Sequence, residues 1–128
     1  MTAVTKTSLS ILAAVAVPAG GTKAAPAAGG TGPWIDVTGY NGGLLGGRIE
    51  NTGGAVGVQG QMTWQWTSDP TANPIKIYDL YTWGGDTTAG SKNTMSIRLD
   101  KEVKFVRSVC YGNTTNPVTF ESDLAASS

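Results

Sequence analysis

Nine carboxylates and one thiol are the first candidates for acid–base or nucleophilic chemistry in this 128-residue chain, which has no imidazole. Without histidine, neither a Ser–His nor a Cys–His pair can form. The only cysteine, Cys110, lies in the apolar run Val109-Cys110-Tyr111 and reads as a small buried hydrophobe rather than a nucleophile. A lone cysteine also excludes an intrachain disulfide. Glycosidase chemistry requires two carboxyl groups held about 5–9.5 Å apart, and here the acids stand singly, on polar faces or in turns. No HExxH, GxxxxGK[ST] or GxSxG motif occurs. Asp69 and Asp86 fall in loops but lack the D-x-D-x-D spacing of a calcium loop. The reading is therefore of a non-enzyme, with no catalytic residue, no metal and no cofactor. Asn113-Thr114-Thr115 is a formal glycosylation sequon that a tight turn explains equally well.

Aromatic residues are the remaining candidates for recognition. Trp64 and Trp66 share one face of an alternating segment with Val56, Val58 and Met62, so all three large side chains of residues 62–66 are expected in the core. Tyr78, Tyr81 and Trp83 precede the glycine-rich stretch Gly84-Gly85-Asp86 and form the candidate interface or ligand surface. Net charge is zero, nine basic against nine acidic residues. The basic group Lys101, Lys104 and Arg107 alternates with Asp100 and Glu102, so no basic stripe is available for phosphates and no nucleic acid is expected as a partner.

The elements that must position these residues are strands. Gly and Pro supply 18 and 6 residues, and charged residues only 14%, against about 25% in ordinary globular chains. Glycine weakens helix interiors by about 1 kcal/mol relative to Ala, so this composition fits short strands and turns. Leu9, Ile11, Ala13, Val15 and Val17 alternate in period two and predict a first strand. The same stretch, with Lys6 before it and Ala24-Ala25-Pro26-Ala27-Ala28 after it, also fits a secretory signal. It is too short for a membrane helix, which needs about 20 apolar residues, and no membrane partner is expected. Residues 18–33 hold no large apolar side chain and read as a flexible Gly/Ala/Pro-rich loop or arm lying on another chain.

Further strands are predicted over residues 34–37, 44–51, 56–67, 75–83, 94–99, 103–111 and 118–124, separated by turn signals. In the third of these, Gln59, Gln61, Thr63, Gln65 and Thr67 form a polar face that predicts a half-buried strand. About eight strands and no amphipathic helix give an all-β fold: one domain over residues 1–128, an antiparallel, jelly-roll-like β-sandwich.

Several stretches carry a resemblance: Thr7-Ser8-Leu9-Ser10-Ile11-Leu12 before a Gly/Ala loop, Trp34-Ile35-Asp36-Val37-Thr38-Gly39-Tyr40, Arg48-Ile49-Glu50-Asn51-Thr52-Gly53, Val106-Arg107-Ser108-Val109, and Gly112 through Glu121. Together they resemble the small β-sandwich virion structural proteins of tailed bacteriophages. In the middle, Asp69-Pro70-Thr71 stands where that pattern has a D-G-x-x-W turn. The resemblance implies a capsid decoration or cement subunit in the virion, assembled in the host cytoplasm, whose partners are the major capsid protein or other virion subunits. Few charges along the strands point to a homo-oligomer, with a trimer favoured. The alternatives are a carbohydrate-binding β-sandwich module, or a collar, tail or baseplate subunit.

Overall fold

A computed structural model describes residues 6–128, and all the regular structure in it is β-strand. Eight strands form: β1 (Lys6–Val17), β2 (Ile35–Asp36), β3 (Gly43–Glu50), β4 (Gln61–Thr67), β5 (Tyr78–Gly84), β6 (Lys92–Leu99), β7 (Phe105–Tyr111) and β8 (Val118–Ser127). They pair antiparallel in two four-stranded sheets, ordered β1-β8-β3-β6 and β2-β7-β4-β5. Each successive strand changes sheet except at the β4–β5 hairpin, which is the winding of an eight-stranded jelly roll.

Side-chain alternation builds the core. In β8, Val118, Phe120, Ser122, Leu124 and Ala126 are buried while Asp123 and Ala125 are exposed. In β6, Met95, Ile97 and Leu99 face inward and Lys92, Thr94, Ser96 and Arg98 outward. Ile11, Leu45, Ile49, Met62, Trp64 and Val106 complete the centre with no exposed surface. β1 departs from strict period two: bulges between Ser10 and Leu12 and between Leu12 and Val15 bury Leu12 and turn Ala13 out.

Four expectations need correction. The strand expected over 56–67 begins only at Gln61. Gly57 takes a positive φ of 69°, and a side chain there would also run into the Thr114 and Thr115 hydroxyls. Val56 is still buried, but Val58 is 53% exposed, so it leaves the core face.

Next, the polar face of β4 is not solvated: Thr63, Gln65 and Thr67 are all buried. β4 is an inner strand between β7 and β5, and its outward side chains are satisfied by neighbours rather than by water.

Trp66 is only half-buried, unlike Met62 and Trp64. It lies opposite Tyr78 on the edge strand β5, where no further strand continues the sheet over it.

Lastly, residues 18–33 dock on their own chain. Gly20 N–H donates to the Asn113 carbonyl, Gly112 N–H to Gly21, Cys110 N–H to Gly30, and Gly32 N–H to Ser108. An arm without large apolar side chains can still dock, because backbone hydrogen bonds need none. Gly30 also fits where a Cβ would come within 2.5 Å of the Cys110 carbonyl oxygen.

Candidate interaction surface

The outer face of the β2-β7-β4-β5 sheet carries a chain of polar contacts running from edge to edge. Cross-strand register puts Gln65 of β4 directly between Arg107 of β7 and Asp79 of β5. Arg107 Nε donates to Gln65 Oε1 at 3.0 Å. Gln65 Nε2 donates to Asp79 Oδ1 at 3.0 Å. Lys23, from the docked arm, pairs with the other oxygen of Asp79. The arm enters at the β2 side and Asp79 lies on the opposite edge strand, so Lys23 brings the arm across this face. At the other end, the Arg107 guanidinium carbon sits 4.4 Å from the centre of the Trp34 ring, within cation–π range.

Electrostatics follow from these contacts. The hydrogen bond from Lys23, then that from Gln65, holds the Asp79 carboxyl below its ordinary range. The same bond to Asp79 raises Lys23. For Arg107 the only cause of a shift is burial, which lowers it.

The aromatic candidates divide. Tyr78 and Tyr81 are 47% and 42% exposed. Tyr78 stacks on Trp66 with ring centres 4.7 Å apart and planes 25° from parallel. Trp83, by contrast, is buried. It points between the sheets, 5.8 Å from Trp64, and belongs to the core rather than to any surface. Its register partner is Met62, a fully buried core side chain, which is why it turns in. A cleft of about 150 Å³ lies beside Tyr78, walled by Thr67, Asp69, Ala72, Pro74 and Lys76. Ligand pockets usually measure about 300–1,000 Å³.

The acids are largely occupied in local turns. Asp36, Asp69, Asp86 and Asp100 each accept the backbone N–H two residues on, from Thr38, Thr71, Thr88 and Glu102. Glu50 and Glu121 both pair with Arg48, at 3.2 and 3.5 Å. Among the described residues no cluster of three acidic or thiol side chains could hold a metal. Asn113 of the formal sequon is buried, its amide donating to the Val17 and Asn116 carbonyls.

Sequence reading missed the Arg107–Gln65–Asp79–Lys23 chain. The one signal was local: Gln65 and Arg107 are polar residues inside strands whose neighbours are apolar.

No protein-family model matches this chain, and no curated protein matches it. Solved structures do match in fold. The K3 cleaved adhesin domain of Lys-gingipain from Porphyromonas gingivalis W83 superposes with a TM-score of 0.55 at 12% identity, over 88% of this chain and 72% of that one. The SPBc2 prophage-derived protein YomS gives 0.53 at 17% identity, over 100% and 97%. The structure of infectious bursal disease virus, Gx strain, gives 0.52 at 14% identity, over 97% of this chain and 32% of that one. At these identities the likeness is one of fold.

Proposed function

We propose that this chain is a structural subunit of a tailed-phage particle, and specifically a capsid decoration subunit that seats on the shell and beside copies of itself. The observation that carries this reading is the end-to-end correspondence with the prophage-derived YomS, which leaves almost no part of either chain over. The fold match to a virus structure supports it, as does the phage-like pattern of strands and turns. The broad faces suit docking. β4 carries no charge, and elsewhere in the two sheets Asp79 pairs with Lys23 and Arg48 with Glu50 and Glu121. Uncharged polar groups cross an interface at lower desolvation cost than charges. The acids serve turns and ion pairs, in keeping with a non-catalytic role. The expected partners are the major capsid protein and further copies of this chain, as a trimer.

The test is reconstitution. Shells purified from particles lacking this gene should bind the purified chain to saturation, and cryo-electron microscopy should show it as added density on the outer surface. A chain that fails to sediment with such shells overturns the decoration reading. Recovery in purified tails instead would move it to the tail or baseplate.

A further inference from the structure

We propose that Trp34 and Arg107 form a preorganised carboxylate-binding site, an anchor for an aspartate or glutamate side chain of a protein partner. The guanidinium is held in place from two directions. One edge is used: Nε donates to Gln65 at 3.0 Å. One face is used: the Trp34 ring lies 4.4 Å from Cζ. What is left is the edge bearing the two terminal nitrogens. Among the described residues these have no hydrogen-bond partner, and neither is among the buried polar atoms that lack one, so both reach solvent. That is the pair of parallel N–H donors that takes a carboxylate bidentately.

Charge points the same way. The acid of the network, Asp79, is already matched by Lys23, and the neutral Gln65 amide separates it from Arg107. Arg107 is therefore a partly buried cation without an anion of its own. Holding the side chain in place beforehand removes much of the ordering cost of binding. Arg and Trp are the residue types that most often anchor protein interfaces. Trp34 and Arg107 are half-exposed and do not line the cleft beside Tyr78, which suits a carboxylate carried on a protein surface better than an enclosed sugar. This site goes beyond the particle reading and does not depend on it.

The test uses the 15N-labelled full chain and the Nε–Hε NMR signals of its three arginines, Arg48, Arg98 and Arg107. A hexaglutamate peptide capped at both ends should shift the Arg107 signal saturably, and a hexaglutamine peptide should not. Arg107→Lys, followed through the amide signals of residues 106–108, should bind about tenfold more weakly, because it keeps the charge but loses the fork. Trp34→Leu should weaken binding several-fold. If either variant loses its dispersed spectrum, Gln65→Ala serves instead: it retains Arg107, frees Nε and should also weaken binding several-fold. Equal shifts at all three arginines would show general charge screening and overturn the site. No shift at Arg107, or a response to an oligoglucuronate larger than that to hexaglutamate, would overturn the protein-carboxylate assignment.

Discussion

Trp64 Nε1 donates a hydrogen bond to Ser122 Oγ at 2.9 Å, joining β4 of one sheet to β8 of the other across the core. Ser122 Oγ in turn donates to the Gly46 carbonyl at 2.8 Å. Both side chains are buried, so neither has water as a substitute partner. Ser122→Ala should destabilise the fold by about 1–3 kcal/mol by stranding the indole N–H. In a Trp64→Phe background, where the donor is gone, the same change should cost less. Urea denaturation of the four proteins measures this coupling. Trp64→Ala should cost about 3–5 kcal/mol; equal costs for Ser122→Ala in both backgrounds would show that the bond contributes nothing.

Gly47 is where the two tryptophans find room. A Cβ there would stand 2.7 Å from Trp83 Cζ2 and 2.9 Å from Trp64 Cζ2. Gly47→Ala should cost about 1–3 kcal/mol through overpacking. Its neighbour Gly46 faces the other way, and a Cβ there comes no closer than 3.2 Å to any atom, the nearest being Asp123 Oδ1. Gly46→Ala should be the milder change in a thermal melt, and the reverse order would contradict the inward placement of Gly47.

The turn after β5 hangs on Asn51. Its amide donates to the Asp86 and Thr88 carbonyls at 2.8 and 2.9 Å, and its backbone carbonyl accepts the Gly90 N–H at 3.0 Å. Asn51→Ala removes two bonds from a buried site and should cost about 1–3 kcal/mol. Asn51→Asp should cost more, since it sets a carboxylate against two carbonyl oxygens. Hydrogen exchange should quicken first at residues 88–91.

Cys110 has no exposed surface, and burial pushes its thiol well above the ordinary range. Only the thiolate attacks a disulfide reagent. The native protein should therefore react with an aromatic disulfide orders of magnitude more slowly than the urea-unfolded chain. Comparable rates would show that the β7 strand opens readily.

Stability should be level between about pH 5 and 8, because the chain has no histidine. On the acid side, Asp36, Asp69, Asp79 and Asp86 are held low by side-chain hydrogen bonds from Thr38, Thr71, Lys23 and Ser91. Groups lowered in the folded state contribute stability above their unfolded value, about 3.9 for Asp. That contribution is lost as pH falls through the lower folded values. Melting temperature should thus hold to about pH 4 and then decline. A marked fall between pH 7 and 5 would point to a buried group titrating there.

What the sequence determined by itself is the strand content and much of the inward pattern. Val118, Phe120 and Leu124 alternate with Thr119, Glu121 and Asp123, and Met95, Ile97 and Leu99 with Thr94, Ser96 and Arg98. Period two is a local property, and it is legible wherever one face of a strand is wet. It failed at β4, where Thr63, Gln65 and Thr67 looked solvent-facing but are buried. An inner strand meets neighbours on both sides, and those neighbours come from distant sequence. Trp83 shows the same limit, since only pairing with Met62 decides that it turns inward. The polar chain on the outer face was beyond sequence reading for the same reason. Arg107 and Gln65 are 42 residues apart, and Lys23 and Asp79 are 56 apart. Strand order and register alone bring them together, and register is a property of the assembled sheets.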